Sequence, residues 1–296
     1  MRGVVSAGML AALEYLGLLP AFDAVYGTSA GAINGAYFIA GQAAYGATIY
    51  YEDINNSQFI SYLRLLRGCP AVSLDYLFED VIGRAKRLDW QRVLNSSIEL
   101  RPVATSVRRA RPVALGGFAT REELFTCLKA SARIPLIAGP PVAIGDDAYL
   151  DGSLYASIPF RQALEDGCTH ILALLTRPLG QAPRPAGFFD RQVIARRLGR
   201  LNPELGRAVV RRPRAYADDV GWLLEQTRNP AAAPHVYAIE PRAEARAVNR
   251  TEKRHERLLE GAREGMAAAM HAFAPAASDY LEVLCPFDAI GHRVAL

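Results

Sequence analysis

The sequence predicts a mixed α/β protein with buried parallel strands, and three observations carry that reading. Residues 22–26 form a short apolar run that leads into Gly27-Thr28-Ser29-Ala30-Gly31, and residues 30–40 are then almost wholly apolar without proline, as a buried helix would be. Residues 171–175 are continuously apolar, the pattern of a strand covered on both faces in a parallel sheet. Residues 235–240 read as another strand, stopped by Pro241, before a charged-to-apolar helix over 252–273 with Leu258, Leu259, Ala262, Met266 and Met270 along one face.

Taken in order, the chain opens with Met1-Arg2 and an apolar stretch to Leu19 that has the outline of a secretory signal. Glu14 interrupts it, and its removal would leave Ser29 a few residues from a new terminus. At helical period Val5, Met9, Ala12, Leu13 and Leu16 share one face and Gly17 suits the helix end, so the segment reads as core. The cluster Tyr45, Tyr50, Tyr51, Phe59, Tyr62, Leu63, Leu65 and Leu66 reads first as an amphipathic cover of the core, second as the lining or lid of an acyl-chain pocket. Helices are expected over 74–82 and 122–131, and strands over 98–104 and 112–115, parted by the basic turn 108–111. Residues 142–144 and 148–150 flank Gly145-Asp146-Asp147 as a hairpin.

The chemistry centres on Ser29, a serine presented where a strand reverses into a helix. Gly27 and Gly31 are expected to permit close backbone approach at this turn, and the free N–H groups of the helix start offer partial positive charge to an oxyanion. The bland alternative is a chance glycine-serine-glycine spacing. A phosphate-cradling turn fits poorly, because no lysine follows and no G-x-x-x-x-G-K-[ST] occurs. Ser29 needs a base. His170, His235, His255, His271 and His292 follow it, none in a distinctive setting, which leaves a histidine-dependent esterase as a minor reading. The better candidate is Asp151, which follows the second hairpin strand and precedes Gly152, although an Asp-Gly pair is by itself usually a turn.

Together these pieces resemble the patatin-like phospholipase family. The resemblance rests on Arg2-Gly3, the elbow at Gly27 to Gly31, Ala130-Ser131 followed by Pro135, and Asp151-Gly152 followed by Pro159, and it covers most of residues 1–178. It implies a three-layer α/β/α architecture, a patatin-like sheet with helices on both faces and the serine on a strand-to-helix nucleophile elbow. It also implies a Ser29–Asp151 catalytic dyad that forms an acyl-serine without metal or organic cofactor. Thr28 and Ala30 belong to the same elbow motif, and Gly152 to the Asp-Gly motif. The family's Gly-Gly-Gly-x-Arg/Lys-Gly oxyanion loop is matched only by its last positions, Met1-Arg2-Gly3, so Arg2 and Gly3 are a remnant of it. The strand and three glycines before them have no counterpart. The expectations are a true start further upstream, or an impaired homologue that serves as a lipid-binding or interaction protein on the same fold. Ser153 and Ser157 also depart from the pattern.

At 296 residues the chain can bury a large core as one domain or as one domain with an appended helical part, and the resemblance implies a single patatin-like domain over 1–296: catalytic motifs in 1–178, an Arg/Pro-rich insertion at 179–234, and the last strand with a helical part at 235–296. No uninterrupted apolar run reaches membrane-spanning length. Cys69, Cys127, Cys168 and Cys285 are scattered, like reduced thiols of a cytoplasmic protein and unlike zinc ligands. The net charge of +4 is uneven: residues 184–214 hold nine arginines, a candidate peripheral contact with anionic membrane or a plain solvated face. Nucleic acid is not expected, since that stretch has no aromatic stacking platform. The expected partner is a lipid or other ester.

Overall fold

The computed structural model of the chain describes residues 1–178, 181 and 185–275. Its strands are β1 (Ala24–Thr28), β2 (Glu99–Ser106), β3 (Arg111–Ala114), β4 (Val142–Ile144), β5 (Asp147–Asp151), β6 (His170–Leu174) and β7 (His235–Ile239). A central sheet runs β1-β2-β5-β4, with β3 also paired to β2. β1 is parallel to β2, while β3 and β5 are antiparallel to it and β4–β5 is the expected hairpin. β6 and β7 form a parallel pair of their own. Residues of β1 and β6, which are not paired with each other, line one cavity.

The helices are α1 (Val4–Tyr15), α2 (Ala30–Ile39), α3 (Ala43–Thr48), α4 (Trp90–Leu94), α5 (Arg121–Ser131), α6 (Phe160–Glu165), α7 (Ala195–Leu201), α8 (Pro203–Arg228) and α9 (His255–Phe273). They cover both faces of the strands, as period-two alternation shows. In β6, Leu172 and Leu174 join the main core built from α1, α2, α3 and α9, whereas Ala173 packs with Phe160 of α6 and Leu223 of α8. In β5, Tyr149 faces Cys127 and Ala130 of α5, and Leu150 faces Leu198, Leu205 and Val209 of α7 and α8.

Several elements differ from the sequence expectation for identifiable reasons. The first helix is not one-faced. Every residue from Val4 to Leu13 is buried, because α3 and α9 pack on sides that an apolar stripe would leave to solvent. A Cβ on Gly8 would stand 2.0 Å from the Ala262 carbonyl oxygen, and one on Gly265 would stand 1.9 Å from that of Val5, so α1 and α9 meet backbone to backbone. The helix expected at 74–82 forms over Tyr76–Ala85 with π-helical pitch. Much of the Arg/Pro-rich stretch is helical. Asn202 caps α8 through the Glu204 N–H, Pro203 occupies the first turn, and the helix continues through Pro213. Of its arginines among the described residues, all but Arg212 are exposed.

Candidate active site

Ser29 lies between β1 and α2 with φ +55° and ψ −120°, a backbone conformation that costs a non-glycine residue about 1–3 kcal/mol. Two bonds hold it. The Ser29 N–H donates to Ser131 Oγ at 2.9 Å, and the Ser131 hydroxyl donates in turn to the Val103 carbonyl at 2.7 Å. The preceding Thr28 hydroxyl donates to the Ala156 carbonyl at 2.8 Å, tying β1 to the chain just past Asp151. Sequence reasoning used Ser131 only as part of the motif set behind the family resemblance and gave it no role at the elbow. Its signal is a fully buried hydroxyl at the end of an otherwise ordinary helix, which needs a partner.

The two elbow glycines prove unequal. A Cβ on Gly27 would lie 2.4 Å from the Ala32 nitrogen, so close approach requires glycine there. At Gly31 nothing lies within 4 Å of that position, which corrects the expectation that both glycines are needed for tight packing. Gly31 instead borders the cavity, where a side chain would enter open space. The helix start is also less free than expected, since the Ser29 N–H is already bound. The Ala30 and Gly31 N–H groups have no hydrogen-bond partner among the described residues.

Asp151 ends β5 and is 2 % exposed. Its N–H donates to the Arg133 carbonyl at 2.9 Å, its carbonyl accepts from the Thr105 hydroxyl at 3.0 Å, and its Oδ1 accepts the Ser153 N–H at 2.8 Å. Gly152 must lack a side chain, because a Cβ would stand 2.2 Å from the Val103 carbonyl oxygen. Strand register then relates Asp151 to Ser29. Thr28 is opposite Val103 and Asp151 is opposite Ala104, so Ser29, one residue beyond Thr28, falls in the row of Ala104 and Asp151. Two strand spacings put the Cα atoms of Ser29 and Asp151 about 10 Å apart. Both residues line the same cavity.

That cavity encloses about 400 Å³ and includes Arg2, Gly3, Arg212, Tyr216 and Arg250 in its walls. Gly3 caps α1 against the elbow; a Cβ there would meet the Ala30 Cβ at 2.5 Å. A second cavity of about 410 Å³ also includes Ser29 and is walled by Ile33, Ile49, Ile54, Phe59, Val72 and Leu77. Ser29 therefore stands where two largely apolar chambers meet; the second is the more apolar, and Arg212 and Arg250 border both.

The aromatic cluster after the elbow helix divides between its two readings. Tyr50, Tyr51 and Phe59 are core residues, with Tyr50 and Phe59 bordering the apolar chamber, while Tyr62, Leu63, Leu65 and Leu66 are exposed. Phe188 and Phe189 are exposed as well, and Tyr62 and Phe189 both border the apolar chamber. Among the described histidines, His170 Nδ1 lies 3.0 Å from the Thr169 hydroxyl, His235 Nδ1 meets the Pro230 carbonyl and His255 Nδ1 that of Tyr51; no histidine bonds Ser29. His292 and Cys285 lie outside the described residues. Among the described residues no helix is long and apolar enough to cross a membrane.

A family model described as patatin-like phospholipase matches residues 1–164. The chain is also 27% identical over 189 residues to the uncharacterized protein YjjU of Escherichia coli (strain K12), covering 63% of this chain and 52% of that protein. The chain thus spans about half the length of that curated relative.

Proposed function

Because the chain belongs to the patatin-like phospholipase family, we propose that it cleaves carboxylic esters of lipids with Ser29 as nucleophile and Asp151 as base. The observation that carries this reading is the strained serine in register with a buried carboxylate, where two cavities meet.

In the acylation step Ser29 Oγ attacks the ester carbonyl carbon while its proton passes to Asp151. The oxyanion formed is met by the unpaired Ala30 N–H, with Gly3 and Arg2 beside it as the remaining candidates for stabilisation. Collapse breaks the bond to the leaving alcohol, which takes the proton from Asp151 and leaves an acyl-serine. Water then attacks the acyl carbon, giving its proton to Asp151. Collapse of the second tetrahedral species frees the fatty acid, and the proton returns to Ser29. The Ser153 N–H on Oδ1 fixes the carboxylate in place, so Asp151 turns little as it takes and gives the proton. The acyl chain occupies the apolar chamber behind Ser29.

A peripheral membrane contact fits the same geometry. Tyr62 and Phe189 border the apolar chamber, the exposed Leu63, Leu65, Leu66 and Phe188 stand close to them in sequence, and exposed arginines of α7 and α8 follow Phe189 in the chain. The compartment proposed is the cytoplasm, on the free thiols of Cys69, Cys127 and Cys168.

Covalent labelling with a fluorophosphonate tests the reading. The wild-type chain is expected to label at Ser29, and Ser29→Ala not at all. Asp151→Asn is expected to lose ester turnover by about three orders of magnitude or more while keeping its unfolding midpoint. Turnover retained in either variant would rule out the dyad. A lipid-binding scaffold without activity would leave Ser29 unlabelled.

A further inference from the structure

All five residues of β1 and all five of β6 line the cavity of Ser29 and Asp151. Consecutive side chains of a strand point to opposite faces, so a cavity that touches every residue runs along the strand's edge. β2 occupies one edge of β1 and β7 one edge of β6, and the cavity therefore follows the other two edges. Hydrogen bonds at the strand ends identify the groups on them. The Asp23 carbonyl accepts from the Glu99 N–H of β2, and the Thr169 carbonyl accepts from the His235 N–H of β7, both at 2.9 Å. By alternation the main-chain N–H and C=O groups of Ala24, Tyr26 and Thr28, and of His170, Leu172 and Leu174, face the cavity. No strand pairs with them among the described residues.

The walls on either side are apolar. Leu10, Leu13 and Phe38 of the main core line one, and Ile158 and Phe160 of the cluster around Leu223 line the other. Both strands end among cations. Gly3 abuts Ala30 just past β1, its neighbour Arg2 lines the cavity, and Arg177 follows the last residue of β6, Leu174, by three positions. Burial, and then the charges of Arg177 and Arg250, pull the Arg2 guanidinium down to about 10. Among the described residues neither Arg2 nor Arg177 has a carboxylate oxygen within 4.0 Å, and the Arg177 Nε is buried without a hydrogen-bond partner. A carboxylate stands nearer the start of β6, where Asp166 accepts the Tyr26 hydroxyl at 2.6 Å.

We propose that the slot between β1 and β6 takes an extended apolar peptide as an added parallel strand, with its free C-terminal carboxylate held by Arg2 and Arg177. Main-chain bonds to both edges supply the affinity, and β-branched or small side chains on both faces suit the apolar walls. The reverse direction would bring the carboxylate toward Asp166 and leave both guanidiniums unpaired. The proposal rests on the strand edges and not on the Ser29 reading.

Calorimetric titration of the full chain with the peptide Ac-Lys-Lys-Val-Val-Ala-Val-Val-OH tests the slot. One saturable site per chain is expected. The C-terminal amide of the same peptide is expected to bind about tenfold more weakly, the scale of one lost charge-assisted hydrogen bond. Arg177→Gln is expected to weaken the acid by a similar factor and to leave the amide unchanged. N-methylation at either of two adjacent central residues is expected to weaken binding, because one N–H faces β1 and the next faces β6. Loss at only one of those positions would mean pairing with a single edge and would overturn the slot. Equal affinity for acid and amide, or no saturable binding, overturns the proposal. The amide and N-methyl peptides need no protein variant, so the test stands even if Arg177→Gln fails to fold. Fluorophosphonate labelling of Ser29 reports on the catalytic reading separately.

Discussion

Ser131 is the residue on which the elbow turns. Its oxygen accepts the Ser29 N–H and its hydroxyl donates to the Val103 carbonyl, so one buried hydroxyl joins the strained serine, the end of α5 and the strand between Ser29 and Asp151. Ser131→Ala would orphan a donor and an acceptor in one step. A loss of about 1–3 kcal/mol in unfolding free energy is expected by denaturant titration, with slower fluorophosphonate labelling of Ser29. Labelling at the wild-type rate would mean that the strain is held elsewhere. Gly31 poses the opposite case. With nothing near its absent Cβ, Gly31→Ala should fold with no loss of stability, up to about 1 kcal/mol more stable by helix propensity. Its methyl would nonetheless enter the cavity beside Ser29, and kcat/KM for lipid ester is expected to fall. Unchanged kinetics would show that substrate does not pass that wall.

At the scale of elements, the core depends on how closely α1 and α9 approach. The contact is backbone on backbone at Gly8 and Gly265, so there is no side chain whose rotation could admit a methyl group. Gly265→Ala must push the helices apart, and the cost expected is about 1–3 kcal/mol or more, read as a lower urea midpoint. Gly221→Ala in α8 is the internal control. Its Cβ would meet nothing within 4 Å, so it should be neutral or stabilising by about 0.5–1 kcal/mol. Equal losses in both variants would remove close packing as the cause.

Across the whole molecule, six of the exposed large apolar residues fall in two short stretches, Tyr62 to Leu66 and Phe188-Phe189, each with one residue bordering the apolar chamber. Leu63 and Leu66 are 73% and 85% exposed, and Phe188, next in sequence to the chamber residue Phe189, is 80% exposed. The double variant Leu63→Ser, Leu66→Ser is expected to sediment less with anionic vesicles and to show a lower ratio of vesicle to soluble-ester hydrolysis. Added salt should also weaken vesicle binding, because the exposed arginines of α7 and α8 are screened over about 10 Å at 0.1 M ionic strength. Binding indifferent to both changes would place the membrane face elsewhere.

Much of the fold was legible along the chain because its signals are local. Apolar runs bounded by glycine and proline mark most strands, and the serine between strand and helix, like the Asp-Gly after the hairpin, stands out within five residues. The sequence by itself determined which residues could supply a nucleophile and a carboxylate, and that the chain belongs with α/β proteins. Only the tertiary structure decided that Ser29 and Asp151 share a row across β2, that Gly31 is open where Gly27 is closed, that α1 is buried all round from Val4 to Leu13, and that Arg2, Arg212 and Arg250 line one cavity. The physical reason is range. Torsional and turn preferences act between neighbours, whereas register, close packing and charge repulsion act between segments that only folding brings together.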